Sequence, residues 1–175
     1  MTNFALCHHE MPVLGGLLQR HIDWLRACGV PMVAIVRPEP MRLAHGYKAH
    51  DGRFDHDPSG PAWLVFPEPE DCVFWEPRTG ALATWNGRAF ALGESMIDNA
   101  ATYAFGFPLR LYASPIHWLQ GKRDGCVVLD WSLAFDRLRH SPRIAVAETL
   151  RPKLKQHLQP PRLPEILVMC EGTAA

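Results

Sequence analysis

GCVVLDWSLAFDRL, residues 125–138, changes character twice. Cys126 to Leu129 is a short apolar run rich in Val, which suits a buried strand. Asp130 interrupts it, and Ser132 opens a stretch with helical spacing to His140. Strand, acid, helix is the local order of an α/β layer. The same order recurs on both sides. Leu109–Ala113 precedes Ser114-Pro115, a cap residue with Pro at the first helical position, and Gly121 closes that helix. Ile144–Ala147 precedes Thr149 and a helix over 150–158 with Leu150, Leu154 and Leu158 on one stripe. Pro160, Pro161 and Pro164 then separate a fourth strand at Ile166–Met169. Residues 106–175 therefore predict a small βαβαβ unit with parallel strands.

The N-terminal part has another rhythm. Leu14, Leu17, Leu18, His21, Leu25 and Cys28 fit a helix over 13–28 that ends at Gly29. Met32–Val36 reads as a strand, and 41–92 as four or five antiparallel strands. Their turns are Asp51-Gly52, Pro77-Arg78-Thr79-Gly80 and Asn86-Gly87. The last of these predicts a hairpin into Arg88–Leu92. The expected fold class is α+β: an N-terminal helix and antiparallel β region over 1–105, packed beside the α/β unit over 106–175. The two parts are expected as separate units or as one integrated domain.

Composition limits the function classes. The 175 residues are 47% hydrophobic and 21% charged with no formal net charge, as in a globular protein. The charge is uneven: residues 1–105 carry eight Lys/Arg against twelve Asp/Glu, and residues 106–175 carry ten against six. A basic C-terminal half suits an anionic partner, or simply solvated helix faces. The five cysteines, Cys7, Cys28, Cys72, Cys126 and Cys170, form no CxxC pair. Without a signal peptide they point to reduced thiols and a cytoplasmic protein. No apolar run is long enough to span a membrane. Neither a Walker A loop nor GxSxG, HExxH or GxGxxG is present. His45, His50, Asp51, Asp55, His56 and Asp57 crowd one span, but strand alternation divides them between two faces, so a polar hairpin is expected there. His8-His9-Glu10 completes no zinc motif.

Two sets of residues remain as functional candidates. Asp130, Glu148 and Glu171 each follow a predicted strand, at the edge where open α/β sheets bind ligands. Three converging carboxylates would suit Mg²⁺. The competing reading is local: Asp130 and Glu148 precede helices, whose N-termini favour acids. Asp130 is expected to accept N–H bonds there. The second set is basic: Lys122, Arg123, Arg137, Arg139, Arg143, Arg151, Lys153 and Lys155. With Trp118 and Trp131 interleaved, it suits nucleic-acid or anion binding through phosphate contacts and stacking. The two tryptophans equally suit a protein interface or plain core packing.

The run GCVVLDWSLAFDRL, RIAVAETLRPKLKQHL, PEILVMCEGTAA resembles a Toprim domain, the metal-binding module of primases and topoisomerases. The resemblance implies Asp130 as the acid–base group, with Glu171 and Thr173 at an Asp-x-Asp metal pair. Asp for Glu, and Thr173 for the second Asp, are departures that imply a degenerate relative. FWEPRTGALATWNGRAFALG and SPIHWLQGKRDGCVVLDW also look like uncharacterised small proteins of bacterial prophages and plasmids. Two functions follow as expectations. One is a non-enzymatic cytosolic binding protein without cofactor, an accessory or inhibitor encoded by a mobile genetic element, with a protein or nucleic-acid partner. The other is a Mg²⁺-dependent nucleic-acid enzyme of Toprim type using Asp130, Glu148 and Glu171.

Overall fold

The computed structural model describes residues 14–160 and has an α+β fold. A two-residue strand β1 (Gly15–Gly16) leads into α1 (Gln19–Ala27), shorter than the spacing predicts. Gly29 follows at φ +81°, and the Val30 N–H donates to the Leu25 carbonyl. Met32–Val36, expected as a strand, is instead a one-turn helix α2. Ala34 and Ile35 are buried while Met32, Val33 and Val36 are exposed. Docking one side of a turn on the core outweighs the β preference of Val and Ile.

The antiparallel strands are β2 (Arg42–Lys48), β3 (Phe54–His56), β4 (Ala62–Glu68), β5 (Asp71–Glu76) and β6 (Ala81–Thr84). The sheet order is β1-β2-β4-β5-β6, and β3 pairs with the far end of β2. Both faces are apolar. Leu64, Phe66, Val73 and Trp75 join Leu25, Ile35, Trp118 and Leu119 on one side. Trp63, Val65, Cys72 and Phe74 meet Phe54 on the other, where Phe54 stacks on Phe74 at 4.0 Å between centroids. The β2–β3 hairpin thus folds over the second face, and Arg53 reaches a bridge to Thr84 at the end of β6. Gly46 permits that bend: a Cβ there would collide with the Asp55 carbonyl oxygen.

The predicted hairpin into 88–92 does not form. The buried Asp71 carboxylate accepts N–H bonds from Asn86 (2.8 Å), Arg88 (2.7 Å) and Ala89 (3.1 Å). These bonds turn the chain away from the sheet. Strand β7 (Ala91–Leu92) pairs antiparallel with β9 instead. Three-ten turns occupy 94–96 and, broken by a kink at Ala104 and Phe105, 100–106.

The α/β part follows: β8 (Leu109–Leu111), α3 (Pro115–Gln120), β9 (Val127–Val128), α4 (Ala134–Leu138), β10 (Ile144–Val146) and α5 (Arg151–His157). Strand β8 is parallel to β10, and a parallel bridge from Leu111 to Cys126 ties it to the start of β9. The order across this layer is β10-β8-β9-β7. The chain passes from β8 to its neighbour β9, then crosses to the other side of β8. The fourth predicted strand, 166–169, lies outside the described residues. Leu154 is buried, and Leu158 packs against the cluster of Phe90, Leu109, Cys126 and Leu138. The main core includes Leu92, Trp118 and Val127 together with the antiparallel strands, so it runs across the expected boundary at 105/106.

Candidate functional site

The C-terminal ends of β8 and β9 face the folded-over hairpin across a cleft of about 530 Å³. Its walls include Lys48 from the end of β2, Arg88 from the pinned loop, Trp131 after β9 and Lys153 on α5. Trp131 is half-buried, and the Lys153 Nζ stands over its ring at 4.8 Å from the centroid. The His157 ring lies 5.8 Å from the Trp131 ring, centre to centre. Lys48, Arg88 and Lys153 are exposed, and among the described residues none of the three pairs with a carboxylate. The size is that of small-molecule or single-residue pockets.

Two acids line the same cleft and both are engaged. Asp130 accepts the Ser132 N–H at 2.9 Å and the Ser132 hydroxyl at 2.6 Å, capping the turn at 131–133. Asp51 accepts the Arg53 N–H and lies 3.5 Å from its guanidinium. Glu148 is exposed and opens a three-ten turn at 148–150. Glu171 and Thr173 lie outside the described residues. Among the described residues no three His, Cys, Asp or Glu side chains gather around a point that would hold a metal ion. In the histidine-rich hairpin, His45 Nδ1 bonds to the Gly60 carbonyl and His56 Nδ1 to the His45 carbonyl.

The structure scatters the predicted basic set. Arg151 and Lys155 are exposed on α5, one turn apart, and Lys153 points to Trp131. Arg137 stands 3.6 Å from Glu94, and Arg139 stands 3.8 Å from Asp136. Arg143 donates to the Gly106 carbonyl, and Lys122 is exposed just beyond α3 at φ +61°. Two expectations need correction. Arg123 is only 9% exposed, so it is not a surface phosphate contact. Trp118 is 3% exposed and donates its indole N–H to the Gly125 carbonyl, so it is a core residue and not an interface anchor. Its ring fills the space beside Phe66 that α3 leaves over the sheet.

Lys48 and Arg88 are the site residues that sequence reasoning missed. Each flanks a glycine turn, Asp51-Gly52 or Asn86-Gly87, but only the fold of β2 over the sheet brings the two turns together. Cys72 and Cys126 are buried thiols and Cys28 a half-buried one. Burial pushes the Cys126 thiol up to about 12 and the Cys72 thiol up to about 11, so neither is a nucleophile near neutral pH. No helix among the described residues is long and apolar enough to cross a membrane. Family models, curated proteins and solved structures supply no match to the chain.

Proposed function

We propose that this protein is a non-enzymatic binding protein whose cleft receives single-stranded nucleic acid. One observation carries the reading: three cations without carboxylate partners among the described residues, Lys48, Arg88 and Lys153, line one cleft together with the half-buried Trp131, over whose ring Lys153 stands. Single strands are held by this combination of phosphate neutralisation and base stacking on an aromatic face. Arg151 and Lys155 extend the positive surface along α5. The cleft also lies at the strand edge where open α/β sheets take their ligands. The capping role of Asp130 supports binding over metal chemistry, because its carboxylate is already committed to the backbone.

The test is fluorescence anisotropy with labelled single-stranded DNA and RNA at about 50 mM salt. The reading expects saturable binding that Lys48→Glu with Lys153→Glu weakens strongly at this salt, while Arg139→Glu changes it little. Equal losses in both variants would count against the cleft.

A further inference from the structure

A second cavity, of about 720 Å³ and with a separate lining, lies between α2, the end of β4 and the loop after α3. Arg123 is set in its wall. The residue and its neighbour Lys122 both hold positive φ, +61°, an unusual backbone for side-chain-bearing residues. The guanidinium sits over the Phe66 ring at 5.4 Å and the Trp118 ring at 5.6 Å. Its Nη1 donates to the Glu39 carbonyl at 3.2 Å. Its Nε and Nη2 are buried and have no acceptor among the described residues. Those two atoms form the side edge of the guanidinium, the parallel pair of donors that matches a carboxylate bidentately. Buried donors are almost always satisfied, so an orphaned fork needs an explanation.

The cavity's formal charges balance, but two of its three acids are already engaged. Arg37, Lys122 and Arg123 line it against Glu39, Glu68 and Asp124. Asp124 is bonded to Arg110 at 2.9 Å. The Glu68 carboxylate is turned to the N–H groups of Gly93 and Glu94. Apart from Ser95, the remaining wall is apolar, including Val33, Phe66, Pro67, Met96 and Trp118. We infer that this cavity is a binding site for a small organic acid, with the carboxylate on the Nε and Nη2 edge of Arg123 and the apolar body against Val33, Pro67 and Met96. The fork is closed to solvent, so entry moves the guanidinium a short way along the two ring faces. This site is separate from the nucleic-acid cleft and does not depend on it.

Titration of the full chain with phenylacetate and hexanoate, followed by amide and indole N–H NMR shifts, tests the inference. The expected result is saturable shifts at Gly93, Trp118 and Arg123 with Kd of about 1 mM, ordinary for so few ligand atoms. Phenylacetamide, which lacks the charge, should bind at least about tenfold more weakly, because a charged acceptor is lost. Arg123→Lys keeps the charge but removes the fork, and should weaken binding by a similar factor. Should that variant not fold, Val33→Trp decides the matter: Val33 is 44% exposed, so an indole there should fill the cavity and block the acids without lowering the melting temperature. Failure of both acids to reach saturation by about 20 mM, or equal binding of phenylacetamide, overturns the proposal. So does undiminished binding in a folded Val33→Trp or Arg123→Lys variant.

Discussion

Buried acids set the loops of this protein one residue at a time. Asp71 takes three N–H bonds from 86–89 and a fourth from Cys72, and so decides that β7 leaves the antiparallel sheet. Glu76 binds the N–H groups of Arg78 and Thr79 and shapes the Pro77–Gly80 turn. Removing Asp71 orphans several buried donors at once. Asp71→Ala should therefore cost about 2–4 kcal/mol, read from urea melts, with Asp71→Asn costing less. A loss within about 0.5 kcal/mol, typical of a surface position, would contradict that role. Asp130 is different, because it caps a single turn near the surface. Asp130→Asn keeps an acceptor and should cost about 0.5–1.5 kcal/mol. Mg²⁺ at about 5 mM should not raise the melting temperature of the wild type, since only a bound ion stabilises by mass action. A wild-type shift that the variant lacks would restore the metal reading.

At the scale of elements, periodicity told the truth wherever packing agreed with it. The α5 stripe is the clearest instance: Leu154 is 8% exposed while Arg151 and Lys155 face solvent. Leu154→Ala should cost about 2–5 kcal/mol and Lys155→Ala close to nothing in denaturant melts. Similar losses would contradict the orientation of the helix. The strands at 109–111, 127–128 and 144–146, with Pro115 opening α3 and Gly121 closing it, were legible for the same reason. Met32–Val36 was not, since five apolar residues, three of them β-branched, carry no signal of which neighbour they will meet. The 88–92 hairpin was misread because Asn86-Gly87 does form a turn. The later route depends on Asp71, fifteen residues upstream of Asn86. Gly125 directly precedes the predicted strand. In the structure it holds φ +115°, and a Cβ there would collide with the Arg110 carbonyl oxygen. That close approach lets the Cys126 N–H reach the same carbonyl at 2.8 Å and join β9 to β8.

On the scale of the whole molecule, the main core links the antiparallel and α/β parts, and the two openings proposed as binding sites lie between them. Neither opening was legible as a site. The basic residues were counted correctly by composition, but Lys48 and Arg88 come from the acidic half and meet Lys153 only through the curl of β2. Arg123 looked like surface charge, and its burial depends on Phe66 and Trp118, far apart in sequence. The same packing gives a pH dependence. Burial pushes the Glu68 carboxyl from 4.5 up to about 7, beyond the opposing effect of the Gly93 and Glu94 N–H groups. The folded state then binds the proton more tightly than the unfolded chain, so stability from this group is full below about pH 4.5 and lost as pH rises through about 7. Glu76 acts in a separate window. Burial pulls its carboxyl upward, but the bonds from Thr79 and Arg78 outweigh it and hold it below 4.5. Its contribution is therefore present above that value and lost in acid. Glu68→Gln should flatten the fall in melting temperature between about pH 5 and 7; an unchanged slope would contradict the assignment. The central claim, an anionic strand in the Lys48, Arg88 and Lys153 cleft, is tested most directly by the salt dependence of single-strand binding. Three neutralised phosphates predict a slope of log K against log[salt] of about −2, falling toward about −0.7 in the Lys48→Glu, Lys153→Glu chain. No binding at about 50 mM salt, or a slope that the double reversal leaves unchanged, would contradict it.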